Sequence, residues 1–182
     1  MNATTLILAI LNFQDASGYE IRKLATDGPY SYFVDIGYGS IYPTLAKLEA
    51  QKLVTSRAEQ SQGKPERKVY SITETGRAEF IRSMMEPPAK DVFKSEFLLV
   101  AMAADFATPA SVEKAIEERI ETVEAKLAVI RQHLSDCDHP GSCWVAHYGE
   151  HVYRSSLEYL IANKQRLIEI AGDALPGALA AE

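Results

Sequence analysis

A set of small polar residues shares one side of a helical segment in the first half of the chain. The segment GSIYPTLAKLEAQKLV runs from Gly39 to Val54. At about 100° per residue, its polar residues fall on one face: Ser40, Thr44, Lys47 and Gln51. Its apolar residues fall on the opposite face: Ile41, Leu45 and Leu48. The short polar side chains permit close approach to phosphates and base edges, and the lysine among them adds a positive charge. Such a face is typical of a helix that enters the major groove of DNA. The alternative is an amphipathic helix whose polar face is only solvated.

Pro43 interrupts this helical pattern and shows where the helix begins. With Ser40 as the cap, Pro43 is the third helical residue and lies in the first turn, where backbone N–H groups have no intrahelical acceptor. Proline therefore costs little there. Tyr42 points sideways from the polar face, which favours contact with sugar and phosphate over contact with a base.

A basic hairpin is predicted directly after this helix. The residues from Val54 to Arg57 and the segment KVYSIT have strand character, and a Gln-Gly-Lys-Pro turn separates them. Between Lys47 and Lys68 there are six basic residues against three acidic ones. We expect Lys64 at the tip and Arg67 on the second strand to follow an adjacent minor groove or its phosphates.

A second group of chemically versatile residues lies near the middle of the second half, in the stretch CDHPGSCWVAHYGEHVYR. Aromatic rings could stack on a small aromatic acid while histidine or arginine binds its carboxylate. The candidate residues are Trp144, His147, Tyr148, His151 and Arg154. The alternative is an ordinary helix whose aromatic residues pack in a dimer core and whose histidines are solvated.

Two cysteines, Cys137 and Cys143, are too few for a disulfide framework; the count leaves a single bridge open, and reduced thiols are the expectation. A zinc site that combines them with neighbouring histidines is only weakly indicated, because no C-x-x-C pair is present. We therefore predict no metal and no cofactor.

Three helices, a hairpin and a fourth helix are predicted before the double proline at Pro87 and Pro88. Ser17 is expected to cap the helix GYEIRKLAT, and Thr73 is expected to cap the fourth helix. This order of elements, with a basic hairpin, is that of a winged helix-turn-helix. We place a DNA-binding domain at residues 1–86 and a helical domain at residues 91–182, which makes the chain mainly α.

Charge is distributed unevenly between these two parts. The whole chain carries a net charge of -6, yet residues 1–90 hold 11 basic against 10 acidic residues and residues 91–182 hold 8 against 15. A polyanionic partner is therefore compatible with the first part only. The apolar run LILAIL is too short to span a bilayer, and the first positive charge is Arg22, so a cytoplasmic location is expected.

Three blocks of the first domain resemble the signature of PadR-type transcriptional regulators: SGYEI, GSIYPTLAKLEAQKLV and GKPERKVYSITETGR. The resemblance implies DNA contacts at Ser40, Tyr42, Pro43, Thr44 and Lys47, with Lys64 and Arg67 in the wing. The length of the chain is similar to that of the long-tailed subgroup. Members of that subgroup dimerise through an acidic helical domain and include repressors released by phenolic acids.

The second domain is predicted to contain a helix from Val92 to Phe106, a long helix that starts at Thr108-Pro109, and a last helix from about Trp144 to Ile170. We expect burial in the last helix at Tyr148, Val152, Tyr159, Leu160, Leu167 and Ile168. The long helix has an apolar stripe that is expected to form a homodimer: Val112, Ile116, Ile120, Val123, Leu127, Ile130 and Leu134. The alternative is that this stripe packs only within its own chain.

These expectations describe a homodimeric repressor that binds a pseudo-palindromic operator and is released by a small aromatic acid. Two alternatives stay within the family: a regulator with no small-molecule effector, and one controlled by metal or thiol chemistry. A third is a winged-helix protein adaptor that does not bind DNA. An enzyme is not expected, because the sequence has no glycine-rich phosphate loop and no nucleophile elbow.

Overall fold

The computed structural model describes residues 2–60 and 66–172 of the chain. It divides into two compact units, Met1–Asp91 and Val92–Glu182. Helices dominate both units, which confirms the mainly α fold class.

The first unit is a winged helix-turn-helix. Its helices are α1 (Ala3–Phe13), α2 (Gly18–Thr26), α3 (Ile41–Ala50) and α4 (Glu74–Met84). Strands β2 (Val54–Glu59) and β3 (Arg67–Ile72) form the predicted antiparallel hairpin. A two-residue strand that the sequence did not reveal, β1 (Ala16–Ser17), pairs with the other side of β3, so the sheet has the order β1-β3-β2.

Local side-chain caps begin α2 and α4 at the predicted residues. The Ser17 hydroxyl accepts a hydrogen bond from the Glu20 N–H while the Glu20 carboxylate accepts one from the Ser17 N–H, which is a complete capping box. Thr73 accepts from the N–H of Gly76. Ser40 differs from the expectation: its hydroxyl donates to the Gly37 carbonyl at 2.7 Å and does not cap α3. The reason is a 3-10 turn, Tyr38–Ser40, that leads directly into the helix.

The predicted apolar face of α3 anchors this helix in the core of the first unit. Ile41, Leu45 and Leu48 are each at most 1% exposed, and they belong to a single cluster with residues of α1, α2 and the sheet. Burial of three such side chains fixes the orientation of α3, because turning it would expose them. Its polar face must therefore point outward.

The second unit consists of α5 (Glu96–Met102), a 3-10 turn (Ala104–Phe106), α6 (Pro109–Ser135) and α7 (Pro140–Ile170). The helix expected from Val92 is shorter than predicted, because Ser95 accepts from the N–H of Leu98 and starts α5 there. Thr108 caps α6 as predicted. Helix α7 begins at Pro140 rather than near Trp144, since proline fits the first helical position and His139 caps the turn.

The apolar stripe of α6 is covered within the chain. Val112, Ile116, Val123 and Leu127 are buried, and the other three members of the stripe (Ile120, Ile130 and Leu134) are partly buried. Ile116 and Val123 pack with Leu160 of α7. The stripe thus packs against α7 of its own chain, and its use in a homodimer stays a prediction.

The outer side of α7 corrects another expectation. Leu160 is buried, and Leu167 and Ile168 are partly buried, but Tyr148, Val152 and Tyr159 are 61%, 44% and 68% exposed. Helical periodicity placed them near the inward stripe, whereas α6 covers only one side of this helix. These large apolar side chains therefore face solvent in the single chain.

Candidate nucleic-acid interface

The outward face of α3 presents the predicted polar residues. Lys47 is exposed and forms no ion pair with the residues that the structure describes. Thr44 is half-buried, and its hydroxyl donates to the Ser40 carbonyl at 2.6 Å. Pro43 is exposed at the third helical position. This face combines one uncompensated positive charge with short side chains, which is the arrangement that a phosphate backbone or a groove edge accepts.

Tyr42 lies between α3 and the start of α2. A Cβ atom added to Gly18 would come within 2.7 Å of Cε1 of the Tyr42 ring, so the absence of a side chain at Gly18 makes room for this ring. Tyr42 remains 51% exposed. The ring is therefore held beside the polar face rather than on it, in agreement with its sideways position on the helix.

Arg67 is bound within the protein to two carboxylates. Its guanidinium lies 2.7 Å from the Glu59 carboxylate on β2 and 3.0 Å from the Glu20 carboxylate at the start of α2. The hydrogen bond to Glu59 and the negative charges of both partners raise the pKa of Arg67. Two carboxylates compensate its charge, so in this conformation Arg67 ties the hairpin to α2. Lys64, the other predicted wing contact, lies outside the described residues.

The next residue of β3 is also paired. Lys68 Nζ lies 2.7 Å from a carboxylate oxygen of Glu49 on α3 and 5.1 Å from the centre of the Tyr70 ring. Hydrogen bonds from Lys68 and Ser56 lower the pKa of Glu49. Helix α3 is thus connected to the hairpin by an ion pair, whereas Lys47 on its outward face has no ion pair within residues 2–60 and 66–172.

Arg22 is a further cation near this surface that the sequence did not single out. Its guanidinium carbon lies 5.3 Å from the centre of the Tyr19 ring and 5.6 Å from the centre of the Tyr38 ring. Both rings are more than half exposed. No motif predicts this cluster, because Tyr38 is separated from α2 by the connecting turn and joins it only in the fold.

Five side chains on α7 form the candidate effector surface, which we call the α7 aromatic face: Trp144, His147, Tyr148, His151 and Arg154. At about 100° per residue they share an arc of about 120°. The Trp144 and Tyr148 rings stack with centroids 5.9 Å apart and planes 4° apart. Arg154 lies 3.2 Å from Nδ1 of His151. All five residues are exposed, so the single chain brings them together but does not enclose them.

Neither a metal centre nor a membrane span is found in the part of the chain that the structure describes. Cys137 and Cys143 form a disulfide, which corrects the expectation of reduced thiols. No group of three or more His, Cys, Asp or Glu residues among the described ones could hold a metal ion. None of the described helices is long and apolar enough to cross a membrane.

Residues 7–82 match the transcriptional regulator PadR-like family. This segment, 76 of the 182 residues, is a domain of that family. Its members are transcriptional regulators and not enzymes, which confirms both the resemblance and the expected absence of an enzymatic function. The matched segment covers most of α1, the helix-turn-helix and the hairpin, the elements that present the α3 face.

Two curated proteins are similar to this PadR-like chain in sequence. A probable transcriptional regulator of Mycobacterium tuberculosis, Rv1176c, is 37% identical over 81 residues, which are 44% of this chain and 42% of that protein. The matched segment thus spans less than half of the mycobacterial relative. The negative transcriptional regulator PadR of Bacillus subtilis is 26% identical over 123 residues, and the match covers 67% of each chain.

Solved structures extend the similarity to both units. A PadR-like transcriptional regulator from Bacillus cereus, BC1756, is 28% identical with a TM-score of 0.79, and the match covers 92% of this chain and 96% of that one. Bacillus subtilis PadR in complex with operator DNA has a TM-score of 0.71 at 21% identity, covering 90% of this chain and 98% of that one. The same protein has been solved in complex with p-coumaric acid. At this identity the Bacillus subtilis structures show the shared fold.

Proposed function

We propose that this PadR-like regulator is a homodimeric repressor that binds a pseudo-palindromic operator in the cytoplasm and is released by a small aromatic acid. The observation that supports DNA binding best is the outward face of α3, where Lys47 is exposed and uncompensated while Ile41, Leu45 and Leu48 are buried. Bacillus subtilis PadR, which has the same fold, binds operator DNA.

In this proposal the DNA contacts are divided between two elements. Ser40, Tyr42, Pro43, Thr44 and Lys47 meet the major groove and its edge, and Lys64 with Arg67 belong to the wing. Arg67 is bound to Glu20 and Glu59 in the free protein, so a phosphate contact must replace at least one of these ion pairs. Among the described residues Lys47 has no such ion pair, and we expect it to contribute more to affinity than Arg67 does.

Dimerisation is proposed through the outer surfaces of α5 and α7. Since the α6 stripe is covered within the chain, the large exposed apolar side chains are found elsewhere in the second unit: Leu98, Leu99 and Met102 on α5, and Tyr148, Val152 and Tyr159 on α7. Exposed apolar residues in such number mark a surface that a partner covers. A second copy is the partner that a pseudo-palindromic operator requires.

The aromatic acid is proposed to bind at the α7 aromatic face. The stacked Trp144 and Tyr148 rings offer an aromatic platform, and the His151 and Arg154 pair offers positive charge and hydrogen-bond donors for a carboxylate. Because this face is open in the single chain, an acid would be enclosed only after a second copy covers it. Bacillus subtilis PadR has been solved with p-coumaric acid, which is a ligand of this chemistry.

The test is a mobility-shift titration of the purified protein against its own upstream promoter DNA, at several salt concentrations. Lys47→Ala should weaken binding and reduce the slope of log affinity against log salt by about one unit, because one phosphate contact is lost. The matched control is Lys114→Ala on α6, an exposed lysine outside the proposed interface, which should leave affinity unchanged. Equal affinity and salt dependence of the wild type and Lys47→Ala would refute the assigned face, and absence of any DNA binding by the wild type would favour the adaptor function.

Release is tested in the same assay with p-coumarate and vanillate. Either acid should dissociate the complex of the wild type at concentrations that leave the Trp144→Ala complex intact. If the same acid concentration releases the wild type and Trp144→Ala from DNA, the α7 aromatic face is excluded as the effector site. If neither protein is released, the chain is a regulator without a phenolic effector.

A further inference from the structure

Cys137 and Cys143 join the connection after α6 to the first turn of α7. Their Cα atoms are 5.7 Å apart and the two residues are bridged. Cys137 lies between the last residue of α6 and the first residue of α7, and Cys143 is the fourth residue of α7. Both are half-buried, so a small reagent can reach them.

The bridge lies directly beside the α7 aromatic face. Trp144 follows Cys143 in the chain, and its ring stacks on Tyr148 one turn further along. The first turn contains Gly141, which disfavours helix, and its cap is the imidazole of His139, which accepts from the Ser142 N–H at 3.2 Å. The disulfide adds a covalent restraint to this hydrogen bond at the start of this face.

The position of the cysteines also favours chemistry between them. The first turn of a helix stabilises negative charge, and a thiolate is the form of cysteine that attacks a disulfide. The six-residue separation makes closure within the chain easier than pairing between two chains. A protein that works on DNA in the reducing cytoplasm keeps few permanent disulfides, so a bridge that can form here is expected to be reversible.

We propose that Cys137 and Cys143 are a reversible oxidation site, whose oxidant is a low-molecular-weight disulfide and whose state controls the order of the first turn of α7. One thiolate attacks the reagent disulfide, its S–S bond breaks, and one reagent thiol leaves. The second thiolate then attacks the mixed disulfide, forms the Cys137–Cys143 bond and releases the second reagent thiol. Two electrons and two protons pass from the cysteines to the reagent, so the step balances. The cytoplasmic location assumed for this site rests on the proposed function, whereas the thiol–disulfide chemistry does not.

The first experiment measures the chemistry on the full chain without DNA. Protein reduced with dithiothreitol is treated with glutathione disulfide, and thiols are titrated while intact mass is recorded. We expect the number of free thiols per chain to fall from two to zero and the intact mass to decrease by two hydrogens. A non-reducing gel should show no cross-link between chains, and dithiothreitol should reverse the change fully. In Cys137→Ser and Cys143→Ser the remaining cysteine should instead keep a glutathione adduct. Retention of both thiols, a stable glutathione adduct on the wild type, or cross-linked chains would each overturn the proposal.

The second experiment measures the structural consequence. Trp144 is the single tryptophan of the chain, so its emission reports on this turn, and hydrogen exchange reports on the backbone amides of residues 141–146. Reduction should make these amides exchange at least about tenfold faster and change the Trp144 emission. Cys137→Ser should exchange at the reduced rate under both conditions. Equal exchange in oxidised and reduced wild type would show that the bridge does not order the turn.

These readouts separate this inference from the proposed function. Failure of DNA binding leaves the thiol titration and the exchange rates unaffected. Conversely, a chain that binds its operator but shows no reversible bridge contradicts only the oxidation site.

Discussion

The two units of the chain cover their apolar residues to different degrees. In the first unit, α1, α2, α3 and the sheet share one buried cluster, and every large residue of the inner face of α3 is covered. In the second unit, α6 and α7 form two small clusters and leave large apolar residues of α5 and α7 exposed. The first unit therefore has a complete core of its own, whereas the second leaves an exposed apolar surface, which supports the proposed dimer.

The two proposed functional surfaces, the α3 face and the α7 aromatic face, differ in the same way. The α3 face, proposed to bind DNA, consists of polar side chains on a helix whose apolar side is buried in the core, so it does not depend on a partner for its shape. The α7 aromatic face consists of exposed rings on a helix that is covered on one side only. Substitutions of large apolar residues should consequently act through folding in the first unit and through association in the second.

The largest effect is expected from a cavity in the core of the first unit. Leu45 is 0% exposed and packs within the single cluster of that unit. Leu45→Ala should lower the free energy of unfolding by about 2–5 kcal/mol, because apolar contacts are lost and a cavity remains. Urea unfolding followed by circular dichroism measures this change. Lys47→Ala, on the opposite face of the same helix, should change stability by no more than about 0.5 kcal/mol. A similar cost for both variants would contradict the assigned orientation of α3.

The second largest effect is expected on association. Met102 and Tyr159 are 76% and 68% exposed on α5 and α7. The double variant Met102→Glu with Tyr159→Glu should weaken a dimer by more than about 2 kcal/mol, because a carboxylate would be desolvated at the interface without a partner. Sedimentation equilibrium should show a monomer at concentrations where the wild type is a dimer, with unchanged helix content. Glu121→Gln on α6 is the control. A double variant that remains dimeric would move the interface away from these two helices.

The features that the sequence predicted correctly depend on residues that are close together in the chain. The caps at Ser17, Thr73 and Thr108 were predicted because each bonds to a backbone N–H three residues away. The inner face of α3 was predicted because its spacing is helical. Strand β1 was missed, since two residues carry no alternation and its pairing with β3 spans more than 50 residues.

The errors concern contacts between distant parts of the chain. The partners of Arg67 were not predicted, because Glu20 lies 47 residues away and reaches it only in the fold. Periodicity located the α6 stripe but did not say what covers it, and α7 of the same chain covers it. For the same reason, Tyr148 and Tyr159 were expected inside and are found outside.

The smallest effect is expected from acid titration of the α2 cap, and it belongs to the first unit alone. Hydrogen bonds from the Ser17 backbone and hydroxyl, together with the charge of Arg67, lower the pKa of Glu20 below its ordinary value of 4.5. The folded state therefore binds this proton more weakly than the unfolded chain. The stabilisation is fully present above pH 4.5 and is lost as the pH falls through the lower folded pKa.

Glu20→Gln imitates the protonated carboxyl and should reveal this contribution. Glutamine can still cap the helix, so the loss at neutral pH should be about 1 kcal/mol or less, mainly from the charge-assisted bonds to Ser17 and Arg67. The difference from the wild type should shrink as the pH falls below 4.5, where the wild-type carboxyl gains its proton. Urea unfolding between pH 3 and 7 measures it, with Glu86→Gln, an exposed residue without an ion pair among the described residues, as the control. A constant difference across this range would mean that Glu20 acts through its shape rather than its charge, and the ion pair that ties the hairpin to α2 would then contribute nothing measurable.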